Sequence, residues 1–438
     1  MRSRNCRSRR WWHRHSSLWL ILLLVASTPA WSQDETPGPL HAKASDIVAT
    51  GPEVPGMTSY DDLMRQLLVQ YHIPGGAVAV AKDGKLMFAR GYGWADVEDQ
   101  RPVEPESLFR IASISKPVTA AVVLRLVEQG RLSLDDPAVK YLPELQPAEG
   151  SERDGRWDGI TIRQLLQHTG GWDRDKSFDP MFIPFRAAEA LGVAPPADSL
   201  TVIRYMLGQP LDFEPGTRYA YSNLGYCVLG RIIEQVTGKP YDQAARELIL
   251  QPADIRHMQL GRTLLGHRAE GEVRYYYHSP DALTRSVFPG VHDQIAWPDG
   301  GFHLEAMDAH GGWIASAVDL VRFATGADGS RQPALFGESS LAATVARPDR
   351  EDAAESDTYY GLGWMIRPVD DDANWWHTGS LPGTITLLVR THHGMAWAAV
   401  FNTRPRETDK FRAALDSGLW EAASAVKQWP EHDLFATP

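Results

Sequence analysis

The stretch Phe109-Arg110-Ile111-Ala112-Ser113-Ile114-Ser115-Lys116-Pro117 constrains the fold of this chain more than any other. An apolar run follows it, Val118, Ala121, Val122, Leu124, Leu126 and Val127, and predicts a helix as far as Gly130. A proline ring clashes with the carbonyl four residues earlier, so Pro117 belongs in or near the first turn of that helix. Ser113 is thereby set at the helix N-terminus, where the dipole and free N–H groups favour negative charge. The i, i+3 spacing brings the Lys116 ammonium onto the same face as the Ser113 hydroxyl. A serine nucleophile needs both. The same spacing recurs at Ser424 and Lys427, but no catalytic turn surrounds it, and that pair reads as exposed residues on a C-terminal helix.

Two more motifs follow in order. Tyr221-Ser222-Asn223 comes just before a helix whose apolar positions Leu224, Val228, Leu229, Ile232, Ile233 and Val236 end at Gly238, so Tyr221 sits on a loop held by a rigid element. Trp375-Trp376-His377-Thr378-Gly379-Ser380 precedes a hairpin, Thr384 to Val389 and Met395 to Phe401, turning at His392-His393-Gly394. The small Gly379 would let a substrate approach the backbone there.

With these motifs the chain resembles the serine β-lactamase and penicillin-binding-protein superfamily, in particular its class C β-lactamase-like branch of esterases, D-aminopeptidases and DD-peptidases. The resemblance runs from about Met57 to about Val426. It includes Leu165-Leu166-Gln167-His168-Thr169-Gly170-Gly171, similar to the family's loop after the serine helix, and Gly311 to Leu320, similar to its Gly-Gly turn into a capped helix. The resemblance implies that Ser113 is acylated and that Lys116 and Tyr221 take and relay its proton, since an alcohol at its free pKa is a poor nucleophile. Which of the two is the general base stays open. Asn223 would position Lys116 or the substrate amide. His377, Thr378, Gly379 and Ser380 would flank the substrate, with the N–H groups of Ser113 and Ser380 as the oxyanion hole. No metal and no cofactor is implied.

His168-Thr169-Gly170 has the same letters as His377-Thr378-Gly379, but it follows a helical Leu-Leu step and precedes the polar Asp173-Arg174-Asp175-Lys176 loop, so His168 reads as structural. His267, His278, His292, His303 and His310 include no tight His-x-His or His-x-x-x-His pair and read as loop histidines. His377 departs from the lysine usual in the β-lactamases and transpeptidases of this superfamily. A histidine near its reference pKa of about 6.5 is mostly neutral at pH 7 and anchors a carboxylate less well. That favours an esterase, amidase or D-aminopeptidase-like peptidase acting on a small-molecule or short-peptide ester or amide. A β-lactamase or D-Ala-D-Ala carboxypeptidase is the alternative. A non-catalytic sensor or scaffold binding peptidoglycan or a β-lactam is the rival of another class.

Because Ser113, Tyr221 and His377 must meet in one cleft, a single catalytic domain is expected over 57–428. Its fold would be α/β in the α+β sense: an antiparallel sheet flanked by helices, beside a mainly helical lobe between about Asp135 and His310. Helix Ser59 to Tyr71, a hairpin of Gly76 to Ala81 and Lys85 to Gly91 turning at Asp83-Gly84, strand Leu362 to Ile366 and helix Asp409 to Val426 complete the expectation. Six arginines ahead of the apolar run Leu18 to Ala26, with Ala30-Trp31-Ser32 as a small-x-small site, read as a cleavable signal over 1–32 and imply a periplasmic or secreted protein with no lasting membrane span. A linker is expected over 33–56 and a tail over 429–438. Loss of the six arginines takes the formal charge from −11 to −17, which argues against nucleic acid and anionic membrane surfaces as partners. Cys6 would leave with the signal, and Cys227 reads as core packing.

Overall fold

The structure, a computed structural model, describes residues 43–277, 283–291 and 294–436. The expected signal with Cys6, most of the first half of the linker, His278 and His292 lie outside the described residues. Gly75–Lys82 (β1) and Lys85–Asp96 (β2) form the first hairpin. Asp83 and Gly84 both take positive φ at its turn, as a two-residue type I′ connection requires. The chain returns to this sheet with Met365–Val369 (β3), Asp372–Leu381 (β4), Thr384–Arg390 (β5) and Met395–Phe401 (β6). The spatial order is β2-β1-β6-β5-β4-β3, with short strands at the rims bringing the described sheet to nine strands. Neighbours along it are antiparallel.

Two expectations shift. The strand expected over Leu362 to Ile366 begins at Met365, because Gly361-Leu362-Gly363 is spent on a turn in which Gly363 adopts φ +88°. The segment around His377, read as an approach to a hairpin, is itself the long strand β4. Its residues alternate in burial, with Trp375, His377 and Gly379 more buried than Trp376, Thr378 and Ser380.

The longer helices that position the site are α1 (Thr58–Gln70), α2 (Ser115–Glu128), α3 (Asn223–Thr237), α4 (Ala317–Ala327) and α5 (Thr408–Ala425). Side-chain size sorts them onto the two faces of the sheet. Val78, Val80, Trp397, Ala399 and Phe401 pack with Tyr60, Met64, Phe411 and Leu415 of α1 and α5. Trp397 meets Trp420 edge-on, ring centroids 4.9 Å apart. On the other face Ala77, Ala79, Ala81, Ala396 and Ala398 form a shallow surface that admits α4 through Val318 and Val321. A larger residue on that face would overpack by about 1–3 kcal/mol. Beyond α4 lies the helical lobe. Its α3 buries Leu224, Val228, Leu229, Ile232 and Ile233 and stops at Gly238 in the left-handed conformation. Cys227 is free and fully buried in that helix.

Candidate active site

Ser113 lies in a 3₁₀ turn, Ala112–Ile114, that leads into α2, so regular helix begins two residues after it. Pro117 falls in the first turn of α2, where its missing N–H costs nothing. Ala112 is forced to φ +47°, a left-handed position that a non-glycine residue takes only under constraint. The sheet supplies that constraint. Thr384 Oγ1 donates to the Arg110 carbonyl at 2.8 Å and Thr386 Oγ1 to the Ile111 carbonyl at 3.1 Å. An ideal Cβ at Gly379 would lie 2.1 Å from the Ile111 oxygen. The backbone that approaches Gly379 is therefore the chain's own, where the sequence reading expected a substrate.

Lys116 is fully buried behind Ser113. Its Nζ lies 3.2 Å from Ser113 Oγ, 2.8 Å from Asn223 Oδ1 and 2.9 Å from the His310 carbonyl. Burial holds its pKa well below the ordinary lysine value, against the attraction of Asp179 and with the help of Arg174. Three acceptors would also suit an ammonium, but two of them can only accept, whereas a serine hydroxyl can also donate. In the neutral amine, two N–H bonds go to Asn223 and His310, and the lone pair is left facing Ser113.

Tyr221 hydrogen-bonds Ser113, and burial raises its pKa above the ordinary phenol value. Its ring lies between Lys116 Nζ, 4.7 Å from the centroid, and the Arg174 guanidinium, 4.6 Å from it. Behind it stands His168, ring centroids 4.3 Å apart, whose Nδ1 accepts the Ser222 N–H at 3.2 Å. Asn223 Nδ2 donates to Asp179 Oδ2 at 2.6 Å. The structure thus brings Ser113, Lys116, Tyr221 and Asn223 together.

His377 is buried in β4. Its Nδ1–H donates to the Thr378 carbonyl at 2.8 Å, which leaves Nε2 to accept from Tyr360 Oη at 2.9 Å. Both nitrogens are satisfied within the protein, and burial, aided by Lys116, lowers its pKa to about 3. Period two puts the side chains of Thr378 and Ser380 on the opposite sheet face from His377, and Thr378 lines a cavity of about 260 Å³ beside α5. Their backbone is another matter. The two-residue connection Pro382-Gly383 makes Leu381 and Thr384 a hydrogen-bonded pair, so in the alternating ladder Thr378 and Ser380 direct N–H and C=O to the other edge. β3 covers that edge only as far as Trp376.

Sequence reasoning missed Asp179, Arg174, Tyr360 and the carbonyl of His310. His310 belongs to a helical turn, Asp308–Gly311, and reaches the site through its backbone. Glycine pairs around that turn were the available signal. Among the described residues no three His, Cys, Asp or Glu side chains are grouped as a metal site.

The chain is similar to several known proteins. Esterase EstB of Burkholderia gladioli is 35% identical over 343 residues, covering 72% of this chain and 80% of the esterase. N-acetylmuramyl-L-alanine amidase of Bacillus subtilis is 26% identical over 349 residues, covering 72% and 74%. Two solved structures share the fold. The hydrolase EstCE1, described as having promiscuous acyltransferase activity, superimposes with a TM-score of 0.65 at 20% identity, covering 83% of this chain and 98% of that one. The D-amino acid amidase of Ochrobactrum anthropi, complexed with L-phenylalanine amide, gives 0.65 at 22% identity, covering 86% and 100%. The Beta-lactamase family profile matches residues 60–418, and with a sheet, a serine turn and a buried lysine arranged as described, the chain belongs to the beta-lactamase family of serine hydrolases.

Proposed function

We propose that this protein is an exported hydrolase of esters or amides that works through an acyl-enzyme on Ser113. The observation that carries the reading is the Lys116 amine, held by two obligate acceptors with Ser113 Oγ as its third neighbour. Lys116 takes the Ser113 proton as Oγ attacks the carbonyl carbon. Tyr221, a neutral phenol bonded to Ser113, passes its proton to the leaving oxygen or nitrogen, and the Lys116 ammonium then gives the serine's proton back to the phenolate, so that both groups are reset. The N–H groups of Ser113 and Ser380 receive the oxyanion, a contribution of roughly 2.7–4 kcal/mol for each donor. Water repeats the sequence on the acyl-enzyme and releases the acid.

The neutral, fully engaged His377 favours ester and amide substrates over those needing a carboxylate anchor, because the position offers no cation and no free donor. Similarity to an esterase at 35% identity supports the same reading. Export rests on the arginine-rich, apolar N-terminus. Incubation with a fluorophosphonate probe, followed by peptide mapping, tests the mechanism. The adduct is expected on Ser113 and absent in Ser113→Ala. Labelling that persists in that variant overturns it.

A further inference from the structure

Asp179 is a partly buried carboxyl on the loop after His168, placed against the site by no sequence motif; desolvation pushes its pKa up, while the Met181 N–H, the Asn223 amide and Arg174 favour its charged form. Its Oδ1 accepts the Met181 N–H at 3.2 Å and its Oδ2 accepts Asn223 Nδ2 at 2.6 Å. The nearest cation, Arg174 Nη1, is 3.8 Å from Oδ2. The two ends of an asparagine amide are nearly identical in shape, so only their partners decide which way the group lies. Asp179, as a carboxylate, can only accept. The amide nitrogen of Asn223 must therefore face it, and the oxygen is turned to Lys116 Nζ at 2.8 Å. Were the amide reversed, its N–H would point at Lys116 Nζ. Against an ammonium that is donor against donor. Against the neutral amine it would occupy the lone pair that Ser113 needs.

We propose that Asp179 is a positioning residue: by holding the Asn223 amide with its oxygen toward Lys116, it aims the Lys116 lone pair at Ser113. The inference rests on the acyl-enzyme reading above. It also carries an electrostatic consequence. The titratable groups around Lys116 are Tyr221 and Tyr226, whose rings lie 4.7 and 5.7 Å from Nζ, the histidines 168, 310 and 377, Arg174 and Asp179. Asp179 is the carboxylate in this set. Its charge favours the Lys116 ammonium, so removing it makes the neutral amine available at lower pH.

The experiment measures the second-order rate of fluorophosphonate labelling, and kcat and KM for a p-nitrophenyl ester, across pH in wild type, Asp179→Asn and Asp179→Ala. Asp179→Asn keeps the shape but leaves a single side-chain oxygen for two donors. It is expected to lower the labelling rate and kcat by about 10- to 100-fold, part of what a general base contributes, with KM within about threefold. The acid limb of its pH profile should move to lower pH, and its melting temperature should stay near that of wild type. Asp179→Ala should show the same shift of the limb, although it also loses the bond to Met181 and melts lower. A wild type that is labelled at Ser113, beside an Asp179→Asn variant with unchanged rate and unchanged limb, overturns the role of Asp179 alone. A wild type that is not labelled at all overturns the acyl-enzyme reading and this proposal with it.

Discussion

His168-Thr169-Gly170 and His377-Thr378-Gly379 spell the same tripeptide, and both bury the imidazole against Tyr360. They do different work because their backbones differ. His168 follows the short helix Ile162–Leu166 with φ +57°, and from this left-handed position its carbonyl accepts the Ala220 N–H at 2.9 Å while Nδ1 takes that of Ser222. It clasps the loop on which Tyr221 rides. His377 is extended, its backbone committed to the ladder with Leu388, and Thr378 and Ser380 after it turn their N–H groups to the edge that β3 leaves uncovered. One copy holds the loop that carries Tyr221. The other is the wall of the cleft. A tripeptide does not specify its role until the backbone conformation around it is known.

The comparison is broken most severely if the loop that His168 holds is dispensable. Lys116→Ala and Tyr221→Phe should each lower kcat/KM for a p-nitrophenyl ester by about 10²- to 10⁴-fold, with the double variant little worse, because both serve one proton transfer. Losses that multiply would show that Tyr221 acts independently of the lysine. A smaller effect separates the histidines by conformation. His168→Ala opens a cavity among tyrosine rings and places alanine at positive φ, so it should destabilise by about 2–5 kcal/mol in urea unfolding. His168→Asn, which tolerates the left-handed region and keeps an acceptor for Ser222, should recover part of the loss. Equal losses in the two variants would remove the conformational argument.

What the two histidines share is tested by acid. Burial depresses both pKa values, His377 to about 3 and His168 well below normal, so unfolding takes up protons below the unfolded value of about 6.5. Their contribution is complete above that pH and declines by about 1.4 kcal/mol per pH unit for each ring as pH falls toward the folded values. His377→Phe should flatten the slope of stability between pH 6.5 and 5 by one proton's worth. An unchanged slope would mean that His377 is charged in the folded protein. The smallest effect concerns specificity. His377→Lys should shift the ratio of kcat/KM for nitrocefin to that for a p-nitrophenyl ester upward by about tenfold, from a charge-assisted bond to the carboxylate of roughly 1.5 kcal/mol. If the ratio does not move, position 377 is a wall and nothing more.

Much of this was legible in local sequence. Both hairpins, α1, α2 and α5 lie within a few residues of where periodicity and turn residues put them, because each is decided by neighbours in the chain. Ser113, Lys116, Tyr221 and Asn223 were legible because short spacings tie each pair to a helix start. Asp179 was not, since a loop written Asp173-Arg174-Asp175-Lys176 reads as solvated charge, and only the fold brings Asp179 to Asn223. Tyr360 was hidden for the same reason, and the His310 carbonyl because a backbone group has no letter of its own.

The 2.1 Å that separates an imagined Cβ at Gly379 from the Ile111 oxygen has a hereditary side. A codon change that gives position 379 a side chain would bring it against both the Ile111 carbonyl and Thr386 Oγ1, 2.2 Å away, and trimming Thr386 would still leave the main-chain obstacle. Position 377, two residues away and facing a phenol, is open to exchange by comparison. The first letter of this tripeptide meets a side chain, the Tyr360 phenol, and the third meets main chain, so a change at 377 can be answered by a change at 360, whereas a change at 379 moves the serine turn itself.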